Sequence, residues 1–237
     1  RDVALMVYTS GSTGKCKIVM LTDDQLISNM FIYRSVTDFE GPGVVYCSLS
    51  LHHIYCICAQ VLTHISMGDV FVAKDKVFFI KDFFKAVEKY KVTITAFVPY
   101  AAMQMADYPE SNRYDLGSLR YVTLSGAKTP GFVYKRLCER YSWIKFINTY
   151  GMSEAGSRIS ISAGEPDVFP VESVGRAIPS VQLRILSEKG YTLPWGYTGE
   201  IEIKGCGIFK GYYKQDKISK RSFRGEWFKT GDIGRLD

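Results

Sequence analysis

The sequence has no run of five or six consecutive lysines and arginines, although 30 of them stand against 24 acids for a net charge of +6. Basic residues scattered in this way argue against a nucleic-acid surface and leave a mild bias towards small anionic ligands. Long apolar stretches are missing too. No segment approaches the roughly 20 apolar residues of a membrane span, and none has the pattern of a secretory leader. There are three histidines, and the six cysteines (Cys16, Cys47, Cys56, Cys58, Cys138 and Cys206) show no repeated spacing. Cys56 and Cys58 form a C-x-C with no second pair, which argues against zinc. Thiols set mostly inside apolar runs fit a reducing, cytoplasmic setting. Internal repeats and low-complexity tracts are absent.

What is present is a globular composition: 46% hydrophobic and 14% aromatic residues, enough for one large core or two modest ones. Apolar β-type runs alternate with helical patterns. VALMVY and KIVML flank a polar loop, and Thr22 and Gln25 then open a helix with capping-box spacing. VVYCSL precedes an apolar helix over about 54–67, DVFVA precedes IKDFFKAVEKY, and TITAFV precedes PYAAMQMAD. YVTLSG precedes a helix with Pro130 in its first turn, and KFINTY closes the series. This order predicts an α/β fold, a mostly parallel sheet flanked by helices. Beyond about residue 172, VQLRIL, GEIEIKG and EWFKTGD are short strands between Gly/Pro turns, which predicts a small antiparallel or barrel-like unit. The expected division is 1–43, the end of a first α/β subdomain; 44–172, a second; and 173–237, a β-rich subdomain. The ends of the chain read as those of a piece of a longer protein.

The stretch YTSGSTGKCK, Tyr8 to Lys17, is dense in backbone N–H groups, hydroxyls and ammoniums. A Walker A loop fails here, because Gly11 and Gly14 are three apart and Cys16 follows Lys15. The dinucleotide fingerprint G-x-G-x-x-G fails as well. A strand–loop–strand cradle remains, in which glycine amides and the hydroxyls of Thr9, Ser10, Ser12 and Thr13 wrap a polyphosphate with Lys15 and Lys17 nearby.

The loop has company: LSLHHIY, SGAKTPG, NTYGMSE, VGRAIPSVQLRIL, GEIEIKG…GYY and FKTGD follow it in order. Together they resemble the adenylate-forming superfamily of acyl-CoA synthetases, 4-coumarate:CoA ligases, firefly luciferase and peptide-synthetase adenylation domains, over essentially the whole chain. The resemblance implies that a carboxylic acid attacks the α-phosphorus of ATP, releasing pyrophosphate, and that the acyl group then passes to a thiol of coenzyme A or of a carrier protein's phosphopantetheine. It implies that Thr9, Ser10, Gly11, Ser12, Thr13, Gly14, Lys15 and Lys17 hold the β- and γ-phosphates. Cys16 stands where the family usually has proline, and Ile18 where it has glycine. Tyr150 would stack on adenine, beside Asn148, Thr149, Gly151 and Met152. Ser153 would keep a hydroxyl for the α-phosphate, and Glu154, with Ser10, would serve Mg2+. Gly126, Ala127 and Lys128 would line the adenine and acyl pocket, and Asp232 would accept both ribose hydroxyls. His53 would gate the acyl tunnel, and Lys17, Glu154 and His53 form the implied catalytic set. Amino-acid-activating members carry an aspartate where LSLHHIY has no acid, which favours an aryl or fatty acid. By the same resemblance, the C-terminal lid domain with its catalytic lysine and an N-terminal segment lie outside this chain, leaving it weakly active or inactive. Two other readings stand beside this one: a non-catalytic adenine-nucleotide-binding module, and an unrelated α/β interaction scaffold.

Overall fold

Thr22 ends a strand and opens a helix. Its hydroxyl accepts from the Gln25 amide at 3.4 Å, and Gln25 Oε1 accepts from the Thr22 amide at 2.8 Å. This is the reciprocal pair that the T-x-x-Q spacing predicts. In the computed structural model, which describes residues 2–9, 16–37, 39, 41–73, 77–162 and 173–237, the junction lies between β2 and α1. The elements run β1 (Val3–Thr9), β2 (Lys17–Thr22), α1 (Asp23–Val36), β3 (Val44–Cys47), a π-helix (Tyr55–Leu62), α2 (Thr63–Ile65), β4 (Val70–Ala73) and α3 (Ile80–Tyr90). Next come β5 (Ile94–Phe97), α4 (Pro99–Asp107), β6 (Tyr121–Leu124), α5 (Gly131–Arg140), β7 (Lys145–Tyr150), a 3-10 turn (Ser153–Ala155) and β8 (Ser160–Ile161). The series ends with β9 (Arg176–Ala177), β10 (Val181–Leu186), β11 (Gly199–Gly205), β12 (Gly211–Tyr212), α6 (Asp216–Arg221), β13 (Phe223–Arg224) and β14 (Trp227–Gly234).

The central sheet has the order β4-β3-β5-β6-β7-β8-β9, and its first five strands are parallel. β5 and β6 are buried at every position because the sheet is covered on both faces. Successive residues therefore serve two cores, as a period of two requires. Tyr46, Phe97, Val122 and Phe146 pack with Phe83, Met105 and Leu137 of α3, α4 and α5. Val45, Ile94, Tyr121 and Ile147 pack instead with Val19 and Leu21 of β2, Ile54, Cys58 and Phe228. The fold class is that expected: a mostly parallel sheet between helices, followed by an antiparallel sheet of order β10-β11-β14-β13.

A third sheet joins the two ends of the chain. β1 pairs with β2, with Thr9 opposite Lys17, and β12 adds to the far edge of β2, with Tyr212 opposite Val19.

Three local features differ from the sequence expectation. The apolar run at 54–67 is a π-helix followed by a single α-turn. Thr63 donates both its amide and its hydroxyl, the latter at 2.7 Å, to the Cys58 carbonyl five residues back. Apolar periodicity does not distinguish that i→i−5 ladder from an α-helix. Pro130 sits at the cap of α5, with Gly131 as the first helical residue. The tail carries a short helix, α6, with no buried residue and hence no apolar stripe to announce it.

Candidate functional site

Open parallel sheets place ligands beyond the carboxyl ends of their strands, and the expected residues 126–128 and 148–154 lie there. Gly126, Ala127 and Lys128 are exposed directly after β6 and Ser125. The parallel register sets Leu124 beside Asn148, so this loop adjoins the end of β7. Asn148 takes its amide to Ser162 Oγ at 2.8 Å and its side-chain amide to the Ser173 carbonyl at 3.3 Å. Thr149 is buried and donates to the Leu124 carbonyl at 3.3 Å. A side chain at Gly151 is sterically forbidden, because its Cβ would lie 1.7 Å from the Ser157 carbonyl oxygen. The chain therefore folds back on itself between β7 and β8.

Two side-chain assemblies form at this edge. Tyr150 donates its phenol to Asp232 Oδ2 at 2.6 Å, linking the last parallel strand to β14 of the antiparallel sheet. Burial, and after it the Asp232 carboxylate, pushes the Tyr150 pKa up, so the phenol stays a donor at neutral pH. In the second assembly, Tyr212 donates to Glu154 Oε1 at 2.8 Å. Lys17 Nζ lies 4.9 Å from the centroid of the same tyrosine ring. Burial first and Glu154 second raise the Tyr212 pKa as well. The backbone of the 3-10 turn is tied down in turn: Phe209 donates its amide to the Glu154 carbonyl at 2.8 Å. Ser153 opens that turn and Met152 caps it.

Ser10, Gly11, Ser12, Thr13, Gly14 and Lys15 lie outside the described residues. Their flanks are Thr9 and Lys17. Thr9 Oγ1 is buried without a hydrogen-bond partner among the described residues, as is Thr129 Oγ1 just past Lys128. Both suit an incoming ligand oxygen. Glu154 is 8% exposed, and among the described residues no three His, Cys, Asp or Glu side chains gather into a metal cage. One carboxylate is nevertheless what Mg2+ uses when phosphate oxygens and waters fill its other positions.

His53 is exposed, and its Nδ1 accepts the Tyr55 amide at 3.2 Å. Partial burial, and then neighbouring His52, lower its pKa. A cleft of about 470 Å³ beyond β3 and β4 is lined by Cys47, Ser50, His52, Val77 and Phe78, with His52 rather than His53 in its wall. His52 Nδ1 lies 2.7 Å from Ser50 Oγ.

Three further side chains near this edge, Tyr212, Tyr55 and Arg158, stand outside the motif positions that the family resemblance gives a role. Tyr212 lies in the quoted GYY segment. Tyr55, in the π-helix, donates to Thr123 Oγ1 at 2.8 Å. Arg158 is 1% exposed, donates to the Ala59 carbonyl at 3.3 Å and lies 5.7 Å from the Tyr55 ring centroid. An arginine between apolar and small residues immediately after NTYGMSEAGS was the sequence signal for it. All six cysteines are free. Burial lifts the Cys56 and Cys58 thiols to about 12, so both are inert. Among the described residues, no helix is long and apolar enough to cross a membrane.

A mostly parallel α/β sheet that sends polar groups from its carboxyl edge towards an appended antiparallel sheet is the architecture of the adenylate-forming enzymes. The chain belongs to the AMP-binding enzyme family, which it matches over residues 1–213. It is 34% identical over 250 residues to the 4-coumarate–CoA ligase CCL1 of Humulus lupulus and 36% identical over 249 residues to 4-coumarate–CoA ligase 1 of Narcissus pseudonarcissus. Both alignments take in 100% of this chain but 44% and 45% of those proteins, so it spans a little under half the length of these curated relatives. Among solved structures, ATP-bound MatB from Rhodopseudomonas palustris aligns with a TM-score of 0.90 at 26% identity, covering 100% of this chain and 46% of that one. O-succinylbenzoate coenzyme A synthetase from Bacillus subtilis, in complex with ATP and magnesium ion, aligns at 0.87 and 25% identity, covering 100% and 48%. The chain is thus an AMP-binding domain of adenylate-forming type.

Proposed function

We propose that the protein carrying this chain activates a carboxylic acid, aryl or fatty, to an acyl-adenylate with ATP, and then transfers the acyl group to coenzyme A or a carrier-protein thiol. The observation that carries this reading is the Tyr150–Asp232 hydrogen bond. It brings an aromatic face and a carboxylate from two sheets together at one edge, as a nucleoside needs for its base and its ribose. Tyr150 offers its ring to the purine, and Asp232 accepts from the ribose hydroxyls. The loop ending at Lys17 supplies amides and an ammonium to the leaving pyrophosphate. Ser153 offers a hydroxyl to the α-phosphate. Glu154 would hold Mg2+, which supplies charge neutralisation on the phosphates when bound. Catalysis of this type is mainly positioning and charge stabilisation, so rigid placement of these groups is the chain's own contribution. The absence of an acid in LSLHHIY supports a substrate without an α-amino group. Coenzyme A ligases among the relatives support a thiol acceptor.

The test is ATP–pyrophosphate exchange by the full-length protein across a panel of aryl, fatty and amino acids, with calorimetric titration of ATP and Mg2+ alongside. Exchange that depends on an aryl or fatty acid upholds the proposal. ATP binding with no exchange for any acid leaves a nucleotide-binding module, and no ATP binding by folded protein leaves a scaffold.

A further inference from the structure

We propose that Tyr212 is a positioning residue that sets Glu154 and Lys17 for one ligand, a divalent cation complexed with a nucleotide polyphosphate. This rests on the nucleotide reading above and goes beyond it, because no role was assigned to Tyr212. The ring is 3% exposed and wedged edge-on against Phe209 at 4.7 Å between centroids. Its backbone is pinned on two sides: by antiparallel pairing of β12 with β2, and by its amide, which donates to Ser219 Oγ at 2.8 Å. A phenol held this firmly has one place for its hydroxyl, and that place is 2.8 Å from Glu154 Oε1. The donation occupies one lobe of the carboxylate. The carboxylate is thereby held in a single rotamer with Oε2 left to meet a cation. The ring face meanwhile takes the Lys17 ammonium, a weak and desolvation-sensitive contact that a phosphate oxygen outcompetes. One side chain therefore fixes the carboxylate and parks the ammonium, two charges of opposite sign that a metal–polyphosphate needs together. The two come from elements far apart in sequence, β2 and the 3-10 turn, and β12 is the strand that reaches both.

The experiment measures ATP and AMP affinity by calorimetry, each with Mg2+ and with chelator, for wild type, Tyr212→Phe, Glu154→Gln and the double variant. Tyr212→Phe keeps the ring under Lys17 and loses only the donor. The expected result is a Mg2+-dependent gain in ATP affinity that falls roughly 10–100-fold in Tyr212→Phe, as the loss of a hydrogen bond to a carboxylate implies. AMP affinity should be unchanged, and adding Tyr212→Phe to Glu154→Gln should bring no further loss. AMP binding also reports that each variant is folded. An undiminished Mg2+ gain in Tyr212→Phe, or an equal further loss in the double variant, overturns the proposal while leaving the nucleotide reading intact. Wild-type protein that binds neither nucleotide overturns both.

Discussion

Asp232 is exposed, yet it receives a phenol at 2.6 Å from a strand 82 residues earlier. An acid at a surface turn needs no such partner. Held there, it is an acceptor aimed along the same edge as the Tyr150 ring. On the proposed ribose role, replacing Asp232 with alanine should weaken AMP binding by about 1–3 kcal/mol through loss of the acceptor. Tyr150→Phe should cost less, since the stacking face survives. Calorimetry with AMP reads both, and wild-type affinity in Asp232→Ala would remove the ribose assignment. If the Lys17 ammonium serves the outer phosphates, as proposed, Lys17→Ala should separate the nucleotides: ATP binding falls while AMP binding holds. At this scale the sequence named Tyr150 and Asp232 from separate motifs, and the fold brings the two into contact. The sequence was silent on Tyr212 and Arg158, whose partners lie 58 and 99 residues away, and no local pattern encodes a contact of that span.

Elements show a parallel division. The capping box at Thr22 and Gln25 is local chemistry and was readable. The π-helix was not, since it arises from Thr63 reaching the Cys58 carbonyl within a mostly apolar run. Gly151 is a case in which the element dictates the residue. Gly151→Ala drives a methyl into the Ser157 carbonyl, so it should lower stability by several kcal/mol and disturb the 3-10 turn bearing Glu154. Gly68→Ala, with nothing near its Cβ, should cost only about 1 kcal/mol, from its positive φ of 75°. Urea denaturation of the two variants checks the contrast. A second element-scale case is Asp69, which ties α2 to the start of β3. His64 Nδ1 lies 2.6 Å from Asp69 Oδ2, and the Gly43 amide donates to Oδ1. Burial pushes the Asp69 carboxyl up, but these hydrogen bonds outweigh it and hold it below its usual range. A carboxyl lowered on folding stabilises fully above its unfolded pKa of about 3.9, and that contribution is lost as pH falls through the folded value. The stability gap between wild type and Asp69→Asn should therefore be wide at about pH 5 and narrow towards about pH 3. A gap that widens on acidification would contradict the assignment.

At the scale of the whole molecule, the chain is tied end to start. β12 pairs with β2, and Phe209, Tyr212 and Phe228 share a core with Val19, Leu21 and Ile147. The alternation of strands and helices announced the parallel sheet, but the pairing of an early strand with a late two-residue strand has no periodicity to announce it. Joint burial of this kind predicts that the antiparallel sheet and the parallel body unfold together, and β11 supplies a probe. Glu202 is fully buried, with Arg184 Nη2 at 2.6 Å from its Oε2 and Arg224 Nε at 3.1 Å from its Oε1. Glu202→Ala removes the shared acceptor of two partly exposed arginines and should cost about 1–3 kcal/mol. If the sheets are one cooperative unit, that loss lowers the melting temperature of the whole protein in a single transition, seen alike by Trp195 and Trp227 fluorescence in a Trp143→Phe background and by far-ultraviolet ellipticity from the helices. On the proposed nucleotide site, AMP should restore part of it, since a ligand bound only by the folded state stabilises by about 2.7 kcal/mol at a hundredfold excess over Kd. Two separated transitions, with AMP raising only the one that reports the parallel body, would show that the sheets fold independently and that Asp232 contributes nothing to holding the nucleotide.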